Sequence, residues 1–334
     1  MRTLLRWSFC CAFVAVLLNA DFTDAQNKKQ RRRMKTAYLD ARSAGPDFAV
    51  QGEYVGKIGT GGRLGAQVIA LGDGRFDAVL YAGGLPGAGW DGKAPVPLKG
   101  KRDGKTTNFK GKSVSGVIVG RIFEGTAADG GSFRLEKTLR KSPTLGAKPP
   151  ADAVVLFDGS NVDQWEDGKI EAGKLLGVSV RRGPRTKKKF RDFTLHVEFR
   201  TPFMPYARGQ ARGNSGMYLA DQYECQILDS FGLTGETNEC GGIYKVAKPK
   251  VNMCLPPLSW QTYDVEFTAA KFNKQGKRTA PAVATIKHNG VVIHKDRKLK
   301  VTPGGHQSDE KPGRLFFQNH GNPVRFRNIW IVER

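Results

Sequence analysis

Short runs of alternating apolar and polar residues, separated by glycine-centred turns, recur from Phe48 to Val332 and constrain the fold of this chain more than any other feature. Phe193 to Arg200 is the cleanest run. Phe193, Leu195, Val197 and Phe199 fall on one side, and Thr194, His196, Glu198 and Arg200 on the other. A period of two means a strand with one face on a core. In the first half, Gln67 to Leu71 meets the turn Gly72-Asp73-Gly74, Phe76 to Tyr81 follows, and Gly83-Gly84-Leu85-Pro86-Gly87 breaks the chain again. Ser113 to Phe123 and Ser132 to Leu139 read as two more strands, joined through Asp129-Gly130-Gly131. In the second half the strands are Ser215 to Ala220, Tyr223 to Leu228, Gln261 to Thr268, Ala282 to His288, Arg314 to Gln318 and Val324 to Val332. Asn289-Gly290 reads as a type I′ hairpin turn, because both residues accept positive φ. The 41 Gly and 17 Pro of the 334 residues supply these turns. The expected fold class is all-β, a two-sheet sandwich or jelly roll preceded by a small β-rich domain.

Residues 1–25 read as a secretory signal. Arg2 and Arg6 give a positive start, Phe9 to Leu18 is an apolar run, and Ala25 is a small residue before Gln26. A run this short does not cross a bilayer core of about 30 Å, which takes roughly 20 residues. The mature chain is therefore expected to be exported, periplasmic or extracellular, with no membrane span after cleavage. Residues 26–45, with Lys28 to Lys35, read as a basic disordered tail. Residues 46–141 form the small β-rich domain, 142–152 a proline-rich hinge that leaves that domain separable, and 153–334 the second β unit. Pro149-Pro150 cannot continue a strand ladder and stiffens the link.

The 54 Lys and Arg outnumber 31 Asp and Glu, for a net charge of +23. A second basic run, Arg181 to Arg191, is interrupted by Gly183-Pro184 and reads as an exposed loop. Basic residues are neither interleaved with aromatics on strands nor carried on a recognition helix, so nucleic acid is not an expected partner. An anionic cell envelope or polysaccharide surface suits the charge better. Cys225 sits in a strand pattern and reads as a small buried hydrophobe. Cys240 and Cys254 flank a Gly-, Pro- and Asn-containing loop and are the candidate disulfide, worth roughly 3 kcal/mol by chain entropy. No zinc-type spacing is present.

The densest chemistry lies in Tyr223-Glu224-Cys225-Gln226-Ile227-Leu228-Asp229. On a strand, Glu224 and Gln226 share one face while Cys225 and Ile227 share the other. Strict alternation sends Asp229 to the buried side, and a single bulge near Ile227-Leu228 would return it to Glu224. The pattern is similar to the acid-x-acid-x-x-acid strand of jelly-roll β-glucanases, with Gln226 in place of the middle acid. A merely solvated polar face is the bland alternative. Arg212-Gly213-Asn214-Ser215-Gly216 leads into a strand, and Gln318-Asn319-His320-Gly321-Asn322 is a polar loop whose histidine can exchange protons near neutral pH. Tyr244 and Trp260 could stack on sugar faces or pack in the sandwich.

Further motifs accompany these in order: Val155-Leu156-Phe157-Asp158-Gly159, Gly242-Ile243-Tyr244, Pro256-Pro257 with Trp260-Gln261-Thr262-Tyr263, His288-Asn289-Gly290, and Pro323-Val324 with Phe326-Arg327-Asn328-Ile329. Through this series, residues 153–334 resemble the 3-keto-disaccharide hydrolase domain family. The resemblance implies a concanavalin A-like jelly roll and a hydrolase acting on glycosides whose sugar carries a ketone at carbon 3. Such a ketone acidifies the hydrogen on carbon 2. A base removes that proton, the enolate expels the glycosidic oxygen from carbon 1, and water adds back. The route needs a base, an acid for the leaving oxygen, and donors for the enolate. Glu224, Asp229 and His320 are the candidate catalytic groups; Arg212, Asn214, Gln226, Tyr244 and Gln318 are candidate substrate-binding groups. No cofactor is expected, and a divalent metal polarising the ketone is the alternative left open. The rival functions are a lectin-like carbohydrate-binding module without catalysis and a retaining glucanase using Glu224 and Asp229. In each case the partner is a carbohydrate.

Overall fold

A computed structural model describes residues 28–127, 130–305 and 309–334. The expected signal with Cys10 and Cys11, and Asp129 of the Asp129-Gly130-Gly131 turn, lie outside the described residues.

The first unit is a closed antiparallel barrel of eight strands in chain order: β1 Gly52–Ile58, β2 Gly62–Gly72, β3 Arg75–Ala82, β4 Val96–Asp103, β5 Thr106–Lys110, β6 Val114–Val119, β7 Ile122–Ala127 and β8 Ser132–Thr138. β1 pairs with β8, so no edge is left to recruit another strand. The stretch expected as one strand over 113–123 is instead two, β6 and β7. Gly120, at φ +59°, reverses the chain between them. Alternation works as the pattern demands. In β2, Ala66, Val68 and Ala70 fill the barrel with Tyr54, Phe76, Phe109, Phe123 and Phe133, while Ile69 points outward.

The second unit is a two-sheet jelly roll. Its larger sheet comprises β9 Val154–Phe157, β11 Lys169–Glu171, β12 Leu175–Gly177, β14 Phe193–Arg200, β17 Gln261–Thr268, β20 Val283–His288, β21 Val291–Lys298 and β23 Arg325–Glu333. Its smaller sheet runs in the order β10 Trp165–Glu166, β13 Arg185–Thr186, β22 Phe316–Phe317, β15 Ser215–Leu219 and β16 Tyr223–Ile227. β18 Lys271–Phe272 and β19 Arg278–Ala280 make a separate ribbon. The core between the sheets joins Leu195, Val197, Phe199, Tyr263, Val265 and Ile331 to Met217, Leu219, Cys225, Ile227 and Phe317. Asn289 and Gly290, at φ +50° and +80°, form the expected left-handed turn between β20 and β21.

Three segments differ from expectation. The basic tail is not disordered over its described part. Residues 28–34 are helical, Tyr38 bridges to Phe203, and Ala44 is buried. Arg33 lies 4.2 Å over the Tyr206 ring and pairs with Asp73. The basic run over 181–191 is not wholly a loop, because Arg185 and Thr186 form β13, with Arg185 paired to Asp221 at 3.0 Å. The proline-rich segment is not a free hinge. The Ser142 and Thr144 hydroxyls meet Thr262 Oγ1 at 2.6 and 3.0 Å, and the Thr144 hydroxyl donates to Asp264. The Gly146 N–H donates to Glu198, and the Ala147 carbonyl accepts from Asn328 and Trp330.

The polar face of β14 is thus consumed as a fastening for the linker. His196 lies 2.6 Å from Asp264, and Glu198 accepts from Arg327 and Asn328. Both His196 and Glu198 are buried, so neither lines an open surface. Each unit also inserts a side chain into the other: Ile69 of the barrel joins the jelly-roll core, and Phe203 joins the barrel core. The Glu53–Arg140 pair lies buried beside this junction, with Gln67 and Tyr81 completing the hydrogen bonds.

Candidate active site

The β15–β16 hairpin builds the site. Its register sets Gly216 opposite Gln226 and Tyr218 opposite Glu224, while Met217 and Cys225 face the core. A side chain on Gly216 would place its Cβ 2.3 Å from a Glu224 oxygen, so the glycine is what leaves room for the carboxyl. Beyond β16, residues 241–244 cover the strand edge through Gln226 N–H to the Gly242 carbonyl, Gly241 N–H to the Gln226 carbonyl, and Tyr244 N–H to the Glu224 carbonyl.

Glu224 is 3% exposed. The Tyr218 hydroxyl reaches its Oε2 at 2.9 Å, and its backbone N–H donates to Thr302 Oγ1. Burial pushes the carboxyl up to about 7, against the pull of the Tyr218 hydrogen bond. Burial and the neighbouring carboxylate push the Tyr218 hydroxyl up as well. Tyr218 also faces the Pro303 carbonyl at 3.3 Å and the Gln318 amide at 3.5 Å. Gln226 donates to Gln210 Oε1 at 3.1 Å, and the Asn214 amide donates to the Gln210 carbonyl at 2.8 Å. Asn214 Oδ1 is buried with no partner among the described residues, an acceptor left free on this face.

The hairpin thus gathers Glu224, Gln226, Asn214 and Gln318, and it sets the half-buried Tyr244 against the Glu224 backbone. Three candidates fall elsewhere. Asp229 does not return to the face of Glu224: β16 ends at Ile227, and the Asp229 carboxylate is fully covered, 2.6 Å from the Arg212 guanidinium. Arg212 is correspondingly committed to that pair and to the Ala70 carbonyl of the barrel. His320 is exposed and makes no hydrogen bond among the described residues, while its neighbours Gln318 and Asn322 turn inward to Ser215 and Asn214. The face is covered, because residues 302–304 lie against Glu224 and Tyr218.

Two members of the site escaped sequence reasoning. Tyr218 was visible as a strand residue, but only the hairpin register opposes it to Glu224. Gln210 comes from a single 3-10 turn, Gly209–Ala211, which carries no periodic signal. The expected Cys240–Cys254 bridge is absent. Both are free, fully buried thiols: the Cys254 thiol donates to the Leu228 carbonyl at 3.5 Å, and Cys240 Sγ lies 3.3 Å from the Tyr263 hydroxyl. Trp260 is not free for stacking, since the guanidinium groups of Arg200 and Arg327 lie 4.9 and 4.1 Å from its ring centroid. Among the described residues no three of His, Cys, Asp and Glu are grouped as metal ligands.

The fold is that of a two-sheet jelly roll, and the family match sets this domain in a glycoside-cleaving class. The profile of the 3-keto-alpha-glucoside-1,2-lyase-like domain matches residues 152–332, and the chain belongs to that family. Three crystal structures from Parabacteroides distasonis ATCC 8503, each provisionally named a glycosyl hydrolase, are similar to this chain. The 2.13 Å structure is 32% identical, covering 55% of this chain and 85% of that one at a TM-score of 0.49. Those at 1.70 and 2.00 Å are 17% and 18% identical, cover 55% of this chain and 94% and 99% of their own, and have TM-scores of 0.41 and 0.40. No curated protein matches the chain.

Proposed function

We propose that residues 153–334 cleave 3-keto-glycosides by elimination, with Glu224 as the base. The observation that carries the reading is a single carboxyl, raised to about 7 by burial, with a tyrosine hydroxyl 2.9 Å away. A carboxylate with a pKa near neutrality is a strong base that is still ionised at working pH. It takes the proton from carbon 2 of a sugar whose carbon 3 is a ketone. The electron pair of that C–H bond forms the enolate, and collapse of the enolate breaks the bond from carbon 1 to the glycosidic oxygen. That oxygen leaves as the alcohol on receiving the proton of the Tyr218 hydroxyl, which is restored by the proton Glu224 has taken from carbon 2, passed along the hydrogen bond the two share. Water then adds across the new C1–C2 double bond and yields the free 3-keto sugar. Gln226, Asn214 and Gln318 supply amide donors that can stabilise the enolate oxygen, and the unpartnered Asn214 Oδ1 can accept from a sugar hydroxyl.

The family description names a 1,2-lyase, in keeping with the elimination step. The retaining-glucanase reading needs two carboxyl groups about 5–5.5 Å apart, and Arg212 withholds the second. Export through residues 1–25, with activity outside the cytoplasm, belongs to the same proposal. The deciding experiment compares turnover of a 3-keto-glucoside with that of its unoxidised parent. Cleavage of the keto sugar alone supports elimination, equal cleavage of both returns the ordinary glycosidase, and binding of either without cleavage leaves a lectin.

A further inference from the structure

Between the barrel and the jelly roll lies a cavity of about 540 Å³, lined by none of the residues of the Glu224 hairpin. Its apolar wall includes Phe48 and Leu139 from the first unit and Pro257, Leu258 and Trp260 from the second. Five cations line it, Arg121, Lys137, Arg140, Lys141 and Arg200, against one acid, Asp40. Arg140 is neutralised by Glu53. Arg200 makes no ion pair among the described residues; its guanidinium rests on Trp260, and burial with Arg325 and Arg327 nearby outweighs the more distant support of Asp40 for its charge. Lys137 donates to the Ala49 carbonyl, and burial, helped by Arg121, pulls its ammonium down to about 8.

Half-buried cations without counter-charge are costly to keep. A cavity of this size at a domain boundary falls in the range that holds small organic ligands. We propose that it binds an amphipathic organic anion, an apolar ring or chain ending in a carboxylate, phosphate or sulfonate, with Arg200 as the half-buried anchor. A bare inorganic anion would leave the wall of Leu139, Pro257 and Leu258 uncovered, and a neutral apolar molecule would leave the cations unpaired. The site also gives the first unit a task, since that unit contributes four of the five cations while the family match begins only at residue 152.

The test uses the full chain and two fluorescent probes of nearly the same apolar body, anionic 8-anilinonaphthalene-1-sulfonate and neutral N-phenyl-1-naphthylamine. The sulfonate is expected to bind saturably at one site per chain and at least about tenfold more tightly than the neutral probe, the worth of one charge-assisted contact. Arg200→Met should erase that preference and Arg200→Lys should keep most of it. Arg121→Glu with Lys141→Glu, both at exposed positions, should weaken sulfonate binding by about the same tenfold without changing Tm. This double variant keeps the test decisive where Arg200→Met fails to fold. Equal affinity for the two probes, or an unchanged sulfonate Kd in the double variant, would overturn the proposal.

Discussion

The barrel and the jelly roll are written in the same antiparallel pattern, yet they dispose of their polar groups in opposite ways. The barrel closes on itself, fills its interior with Tyr54, Phe76, Phe109, Phe123 and Phe133, carries exposed pairs such as Arg134–Glu124 and Lys99–Asp77, and neutralises its buried Glu53 with Arg140. The jelly roll buries both faces of its β15–β16 hairpin: one face is apolar core, the other holds Glu224, Tyr218 and Gln226 away from solvent. In the second arrangement burial leaves Glu224 without an ion pair among the described residues and pushes its carboxyl up, whereas the buried Glu53 of the barrel is held by Arg140. Chemistry in this protein follows from where a polar face is covered, not from the presence of polar residues on strands.

The largest effect should come from removing one partner of the comparison. A chain starting at Ala151 uncovers the seat of Ile69, exposes Phe203 and removes the linker from Thr262, Asp264 and Glu198. It is expected to aggregate or to lack a cooperative melt. A soluble truncation that melts sharply and keeps turnover would show that the two units are independent after all.

Next in size, Glu224→Gln should keep the fold and lower kcat by about 10²–10⁴, the usual weight of a general base. Wild-type kcat/KM should rise with pH through about 7 as the carboxyl ionises. Stability should move the other way. A carboxyl raised from 4.5 to about 7 binds more protons folded than unfolded, so Tm should fall as pH climbs through that window. Glu224→Gln should flatten that part of the curve, and a variant whose Tm keeps the same slope would remove Glu224 as its source.

Phe203→Ala probes the junction itself. Loss of a fully buried phenylalanine should cost about 3–5 kcal/mol, read as a lower denaturation midpoint. Arg134→Ala on the barrel surface should shift stability by less than about 1 kcal/mol, since its partner Glu124 is as exposed as it is. Comparable losses from both would contradict the division into a shared core and a solvated shell.

Among the effects on turnover the smaller is expected for Tyr218→Phe, a fall in kcat of roughly tenfold to a hundredfold, at or below the low end for a positioned proton donor. Its pH profile is the sharper readout. The hydroxyl favours ionised Glu224, so its removal should move the limb near 7 to higher pH. A limb that stays in place or moves down would separate Tyr218 from the carboxyl it touches.

Local alternation decided much of this protein. It placed Phe193, Leu195, Val197 and Phe199 in a core, put Glu224 and Gln226 on one face, and turned the chain at Asn289-Gly290, because strand period and turn chemistry act over a few residues. What lay across longer separations was decided only in three dimensions. Asp229 follows the end of β16, so no strand period governs it; its side chain went to Arg212, 17 positions earlier, and not to Glu224. Tyr218 became a partner of Glu224 through hairpin register, and Cys240 and Cys254 met as thiols beside Tyr263. The proline segment reads locally as a spacer. It became a strap because Thr262, Asp264 and Glu198, more than 50 residues away, presented the acceptors that its hydroxyls and N–H needed once water was excluded.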